Sequence, residues 1–400
     1  MIRFTFLRSL IFVVLVGFVC TAAGCRRPSG QKQGVRPRTL RDVPAGRLAY
    51  QFTADSEAPP NLAQSDESNA LVSSIQKSFD TTRPEDALLR TVISPDRQRV
   101  LVIYATGGDE PNEYRLDVYG IAGVLQRHVT PADLAVGFTT VAAWSPDGNF
   151  ISFIGFKRTQ PQPAPTPLEE PLPEASPGMP SMSPSPLPTV GPMVPIFKTE
   201  QIYICNRDGF DLKPLTTRDG LIYFYLAWAP DSHALASLAC KENEWRESPL
   251  SAAGRPRLIE LNGSERLLDD MLADVLPVWS PDSSKVATAV GTDVRIYDAL
   301  TDTPTQATIP LREALLEASR AYDEKEAAKS KKANENSATD TTSNTSEAPI
   351  SFNPIVTLEW PQPESLYLQT GFVRNYANEQ RRTWMRWHVL RLSAQAALLG

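Results

Sequence analysis

Trp144-Ser145-Pro146-Asp147 returns as Trp279-Ser280-Pro281-Asp282, and the fold is decided by that recurrence. Weaker copies stand at Ile93-Ser94-Pro95-Asp96 and Trp228-Ala229-Pro230-Asp231, and the weakest begins at Trp360-Pro361. Proline sets φ for the first central position of a tight turn, and Ser or Asp accepts from backbone donors there. Gly148 supplies permissive backbone, though only this copy keeps a glycine. The tryptophan ahead of each turn ends a strand and fills a large gap between layers.

Seven residues beyond each marker stands an apolar or aromatic residue: Val100, Ile151, Leu235, Val286 and Tyr367. Each lies in a short strand-like run such as Phe150-Ile151-Ser152-Phe153-Ile154. A second run follows and ends in a turn signal, as in Ile202-Tyr203-Ile204-Cys205 before Asn206-Arg207-Asp208-Gly209. Short runs bounded by Pro, Asp, Asn and Gly predict strands joined by tight turns. The markers at 93 and 144 are 51 residues apart, as are those at 228 and 279. The gaps from 144 to 228 and from 279 to 360 are 84 and 81, each holding an insertion of roughly 40 residues. The unit is therefore about 40–50 residues, the size of a four-stranded propeller blade.

The chain resembles the TolB-like, WD-repeat-related β-propellers, whose blades carry this turn followed by an apolar strand and an Ile-Tyr-type strand. The resemblance covers roughly residues 45–395. It implies an all-β protein, a single propeller of about six four-stranded blades, with five or seven as alternatives. Five turns are countable. The runs Leu48–Phe52 and Ala70–Ile75 supply strands for a sixth, and closure by the N-terminal segment is expected because little chain follows Leu392. The resemblance also implies a protein-binding class. A propeller by itself hosts many unrelated activities.

Residues 1–25 read as a lipoprotein-type signal peptide. Arg3 and Arg8 are basic, Leu10 to Val19 is apolar, and Ala22-Ala23-Gly24-Cys25 resembles a lipobox with Cys25 as the lipidated residue. An apolar core of ten residues is too short to span a bilayer. Residues 26–44 read as a flexible basic tether, with six Lys and Arg between 26 and 41. These features predict a periplasm-facing envelope protein held to the membrane by a lipid anchor, the particular membrane being left open. The net charge of −6 argues against nucleic-acid binding. Beyond the signal region only Cys205 and Cys240 remain, either as a disulfide between neighbouring blades or as two buried thiols.

Two inserts interrupt the propeller assigned to 45–400. Residues 157–200 are proline-rich, with thirteen prolines between Pro161 and Pro195, and predict an extended, polyproline-like segment. Residues 311–349 predict a helix, with Leu311, Leu315, Ala318 and Tyr322 at helical spacing, followed by a polar disordered stretch. Both inserts, the loop 241–256 and the loop 371–383 all fall between second and third strands or between blades. Blade topology puts such loops on one face, opposite the Ser-Pro-Asp turns. The last loop carries Arg374, Tyr376, Arg381, Arg382 and Trp384, with Arg386 and Trp387 beside it. Arginine among aromatics is a recognition composition, so these residues are the candidate partner-binding site.

No catalytic residue is nominated. His128, His233 and His388 are scattered, no zinc-ligand spacing or His-Glu-x-x-His occurs, and no Gly-x-Ser-x-Gly elbow is present. Asp208-Gly209 with Asp211 lacks the other ligands of a calcium loop and reads as a hairpin turn. The residues Trp144, Ser145, Pro146, Asp147, Trp228, Pro230 and Asp231 are assigned to repeat turns, as are Trp279, Ser280, Pro281 and Asp282. The resulting expectation is a non-enzymatic protein-binding scaffold of the bacterial cell envelope, without metal or cofactor, whose partners are envelope proteins or cell-wall components. The alternatives are a lyase or hydrolase acting on polysaccharide, or a sensor of sugar or another small ligand, in the propeller channel.

Overall fold

The computed structural model describes residues 39–60, 72–110, 112–158, 199–247, 253–335, 354–374 and 382–394. The signal, Cys25 and most of the tether lie outside these residues, as does the proline-rich run. Two units are distinguished, Met1–Asp42 and Val43–Gly400, and every strand described belongs to the second.

The chain enters that unit through β1 (Leu48–Thr53) and a helix, α1 (Ser73–Thr82). The first sheet is β2 (Ala87–Ile93), β3 (Arg99–Ala105), β4 (Arg115–Gly120) and β5 (Leu125–His128). In the second, the innermost strand comes in two pieces, β6 (Leu134–Val136) and β7 (Ala143–Trp144). Both pair with β8 (Phe150–Lys157), followed by β9 (Gln201–Asn206) and β10 (Lys213–Pro214). The third sheet is β11 (Leu221–Trp228), β12 (Ala234–Lys241), β13 (Arg255–Glu260) and β14 (Glu265–Leu267), with a short helix α2 (Glu242–Glu247) between β12 and β13. The fourth is β15 (Val278–Trp279), β16 (Lys285–Val290), β17 (Asp293–Asp298) and β18 (Gln306–Pro310). A long helix, α3 (Arg312–Glu335), leads to β19 (Ile355–Gln362), β20 (Ser365–Arg374) and β21 (Arg382–Ala394). The fifth sheet takes β1 as its outer strand, so its order is β19-β20-β21-β1.

The described residues form an all-β propeller of five blades. The count is the lower of the expected alternatives to six, for a physical reason. Leu48–Phe52 does form a strand, but it completes the fifth blade against β21 rather than opening a sixth. Of the stretch expected to give a further strand, 70–75, residues 70 and 71 lie outside the described residues and 73–75 open α1, whose Ile75 and Phe79 are fully buried against Val100, Val102, Tyr104 and Tyr119 of the first blade. One blade thus joins both ends of the fold, which removes the sheet edges that closure would otherwise leave.

The repeat turns are built alike. Ser145 N–H donates to Phe150 O, Gly148 N–H to Ser145 O, and Phe150 N–H to the Ser145 hydroxyl at 2.9 Å. Ser94 and Ser280 do the same with Arg99 and Lys285. The fourth turn residue is left-handed in four of the five copies: Arg97 at φ 55°, Gly148 at 72°, Ser232 at 64° and Ser283 at 61°. Adjacent turns are stitched together, since Asp147 N–H donates to Ser232 Oγ and Asp231 N–H to Ser283 Oγ, both at 3.0 Å. The tryptophans form a second stitch. Trp144 Nε1 donates to Val92 O and Trp279 Nε1 to Ala227 O of the blade before, each at 3.0 Å.

The register confirms the marker-plus-seven pairing in four blades. Ile93 faces Val100, Trp144 faces Ile151, Trp228 faces Leu235 and Trp279 faces Val286. In the fifth blade Tyr367 faces Glu359 instead of Trp360, a displacement of one residue. Cys205 and Cys240 are free thiols, both buried and both pushed up to about 12 by desolvation.

Helix α3 begins on the propeller. Leu311, Leu315 and Ala318 are buried as their spacing predicts. Arg386 of β21 holds the helix, donating to Ala318 O at 3.1 Å and lying 4.5 Å from the Tyr322 ring centre. The same guanidinium donates to Asp55 from Nε at 2.7 Å. Beside it His388 is buried, accepts from Asp55 N–H at Nδ1 and meets Thr370 Oγ1 from Nε2 at 2.9 Å. Burial, helped by Arg386, lowers its pKa to about 4.

Two outcomes follow. Trp144→Ala empties a buried aromatic site and strands a carbonyl, and is expected to cost ~3–5 kcal/mol in chemical denaturation. A loss under about 1 kcal/mol contradicts the core placement. His388 titrates at about 4 when folded and near 6.5 when unfolded. The unfolded chain therefore binds the extra proton between those values. Stability is full above about 6.5 and falls as pH drops towards 4, by ~3 kcal/mol for this group. Denaturation from pH 7 to 4.5 should show a shallower pH slope for His388→Gln than for wild type.

Candidate functional site

The stitches are not uniform around the ring, and the breaks coincide with a cavity. By the repeat, Trp228 Nε1 should donate to the second blade and Trp360 Nε1 to the fourth. Trp360 Nε1 turns into its own blade and donates to Pro363 O at 3.2 Å. Trp228 Nε1 is buried and has no hydrogen-bond partner. Its ring stacks on Phe150, with centres 6.5 Å apart.

A cavity of about 390 Å³ lies among the innermost strands β11, β15 and β19. Its aromatic lining is Tyr225, Trp228, Trp279 and Trp360. Pro59, Pro277 and Pro361 add rigid walls that offer no backbone donor. Tyr225 OH donates to Pro277 O at 3.4 Å, and burial and the Glu359 carboxylate raise its pKa to about 12.

Glu359 is the only ionisable carboxylate in the lining. No ion pair or hydrogen bond to its side chain exists among the described residues. Desolvation alone raises its pKa above the ordinary glutamate value. Other buried acids are held differently. Asp117 meets Arg83 at 2.9 Å and His128 at 3.1 Å. Glu265 takes Arg257 and Arg218, Asp269 takes Arg295, and Asp298 takes Lys285. Burying a charge without a counter-charge is costly, and a structural role does not explain why Glu359 stands alone.

Sequence reading missed Glu359, although a signal was present. The residue before the marker tryptophan is Ala143, Ala227 and Val278 in the other blades and Glu359 in the fifth, half-buried in each. A charge at one position of an otherwise small apolar series marks a departure from the repeat.

The expected partner-binding residues are reached only in part. Arg374 ends β20, and Arg382 and Trp384 lie in β21, where Arg374 faces Arg382 across the hairpin and Phe372 faces Trp384. Tyr376 and Arg381 lie outside the described residues. Arg386, read with that patch, is buried and committed to Asp55 and α3. Of the residues assigned to repeat turns, the Ser, Pro and Asp positions lie in the turns, whereas Trp144, Trp228 and Trp279 end the strands before them; Trp228, Trp279 and Trp360 line the cavity. A second cavity of about 340 Å³ lies beside Asp231, His233 and Ser283, whose polar groups are already engaged in the turn network. Among the described residues no cluster of His, Cys, Asp and Glu could hold a metal, and no helix is long and apolar enough to cross a membrane.

No protein-family model and no curated protein sequence matches the chain. Solved structures do. A structure from work on two prolyl endopeptidases is 9% identical, with a TM-score of 0.40 over 82% of this chain and 38% of that one. Prolyl oligopeptidase B from Galerina marginata, bound to a macrocyclization substrate, is 10% identical, with a TM-score of 0.38 over 87% of this chain and 44% of that one. An oligogalacturonate lyase in complex with manganese is 11% identical, with a TM-score of 0.29 over 77% and 78%. This chain thus spans less than half the length of the two peptidases. The likeness is one of fold. The expectation of a non-enzymatic protein is not borne out by these neighbours, which are enzymes of similar fold.

Glu359→Gln keeps the shape and removes the lone charge. Its thermal or chemical unfolding at pH 7 should show a gain on the order of 1 kcal/mol. A loss of that size would show that the carboxylate has a structural partner.

Proposed function

We propose that this protein is a lipid-anchored protein of the bacterial envelope that binds a small ligand in the pocket formed by Tyr225, Trp228, Trp279, Glu359 and Trp360. One observation carries the reading. The pocket is walled by aromatic rings and holds a half-buried carboxylate without a partner among the described residues. Convergent polar groups in a largely apolar concavity are what ligand sites are made of. At about 390 Å³ the cavity has the size of such a site. The anchor rests on Cys25 and the basic residues that follow it. Docking of envelope proteins or cell-wall components on the loop face is not favoured by any described contact.

The test is a fluorescence titration of the full chain with a panel of small saccharides, amines and carboxylic acids. At least one class should give a saturable change that Trp228→Ala weakens roughly tenfold or more. Binding that survives Trp228→Ala, or no saturable change with any class, contradicts the reading. In cells, Cys25→Ser should move the protein from the membrane to the soluble fraction. Retention on salt-washed membranes contradicts the anchor.

A further inference from the structure

The charges around the pocket narrow the ligand. Among the described residues no Arg, Lys or His lines it, so the described walls set no positive charge against Glu359. The π faces of indole and phenol rings are themselves negative, and the lining has three indoles and one phenol. An anionic ligand meets repulsion from every side. A neutral sugar can stack on the rings but leaves the carboxylate uncompensated. A positive group satisfies both the carboxylate and the ring quadrupoles.

From this we infer that the pocket takes a small organic ammonium ion of the choline type. The ammonium sits against Glu359 and the aromatic walls. A methylated ammonium suits this lining, because its weak hydration lets the rings and prolines replace water around it.

This inference rests on the pocket being the binding site, and its test separates the two. The full chain is titrated calorimetrically, at constant ionic strength, with choline, with tetramethylammonium and with 3,3-dimethyl-1-butanol, the uncharged isostere of choline. N-acetylglucosamine is titrated as a neutral sugar. Choline and tetramethylammonium should bind saturably, and the isostere at least roughly tenfold more weakly than choline. Glu359→Gln, with its fold checked by thermal melting, should lose choline affinity by a similar factor. If the isostere or the sugar binds as well as choline, or Glu359→Gln binds choline undiminished, the cationic ligand is wrong while the pocket stands. If none of the four binds, the cationic ligand is equally overturned. The broader panel with Trp228→Ala then decides the pocket by itself.

Discussion

Lateral stitching of the innermost strands is the constraint on which this structure depends. A propeller blade has few strands and a small core, so its neighbours must be held in register. Here that is done by polar contacts at the turn end of each inner strand. Trp144 and Trp279 donate to the preceding blade, and Asp147 and Asp231 donate to serines of the following one. The serines reach their acceptor positions because they sit at left-handed φ, which costs a non-glycine residue on the order of 1 kcal/mol. That strain is offset by a hydrogen bond only where a side chain is present. At the one copy where the residue is Gly148, no side chain is needed and the backbone relaxes.

The same lattice defines the site by its gaps. Where Trp228 and Trp360 leave the pattern, an indole N–H is released and a cavity opens among three inner strands. The fifth blade is also where the register slips by one residue and where a carboxylate replaces a small apolar side chain. Three departures from the repeat therefore meet in one place. A fold can carry such frustration if something binds there, and local inconsistency against a regular background is the physical mark of a functional site.

Much of the fold was legible because repetition amplifies weak signals. Pro in the turn, Ser as its acceptor and an apolar residue seven positions on recur often enough to fix strands, turns and the inter-blade role of Trp144. The helical spacing of Leu311, Leu315 and Ala318 was equally readable, since a helix resting on a surface buries one stripe. The blade number was harder. Ala70–Ile75 has strand-like composition, but the buried positions Ile75 and Phe79 are four apart, a helical interval that only the tertiary contact reveals. The site was harder still. Arginines and aromatics clustered in sequence near Trp384 drew the reading to a loop. Glu359 was a single letter in a degenerate copy, and its isolation is a property of what surrounds it.

The direct test is the exchange of indole protons in the full chain, followed by nitrogen-15 NMR with each tryptophan assigned by substitution. The stitching account predicts slow Nε1–H exchange for Trp144 and Trp279, whose donors are bonded across blades, and distinctly faster exchange for Trp228, slowing when the pocket is filled. Equal protection of Trp228 with the other two in the unliganded protein would mean that its donor is already satisfied. The gap that defines the site would then not exist.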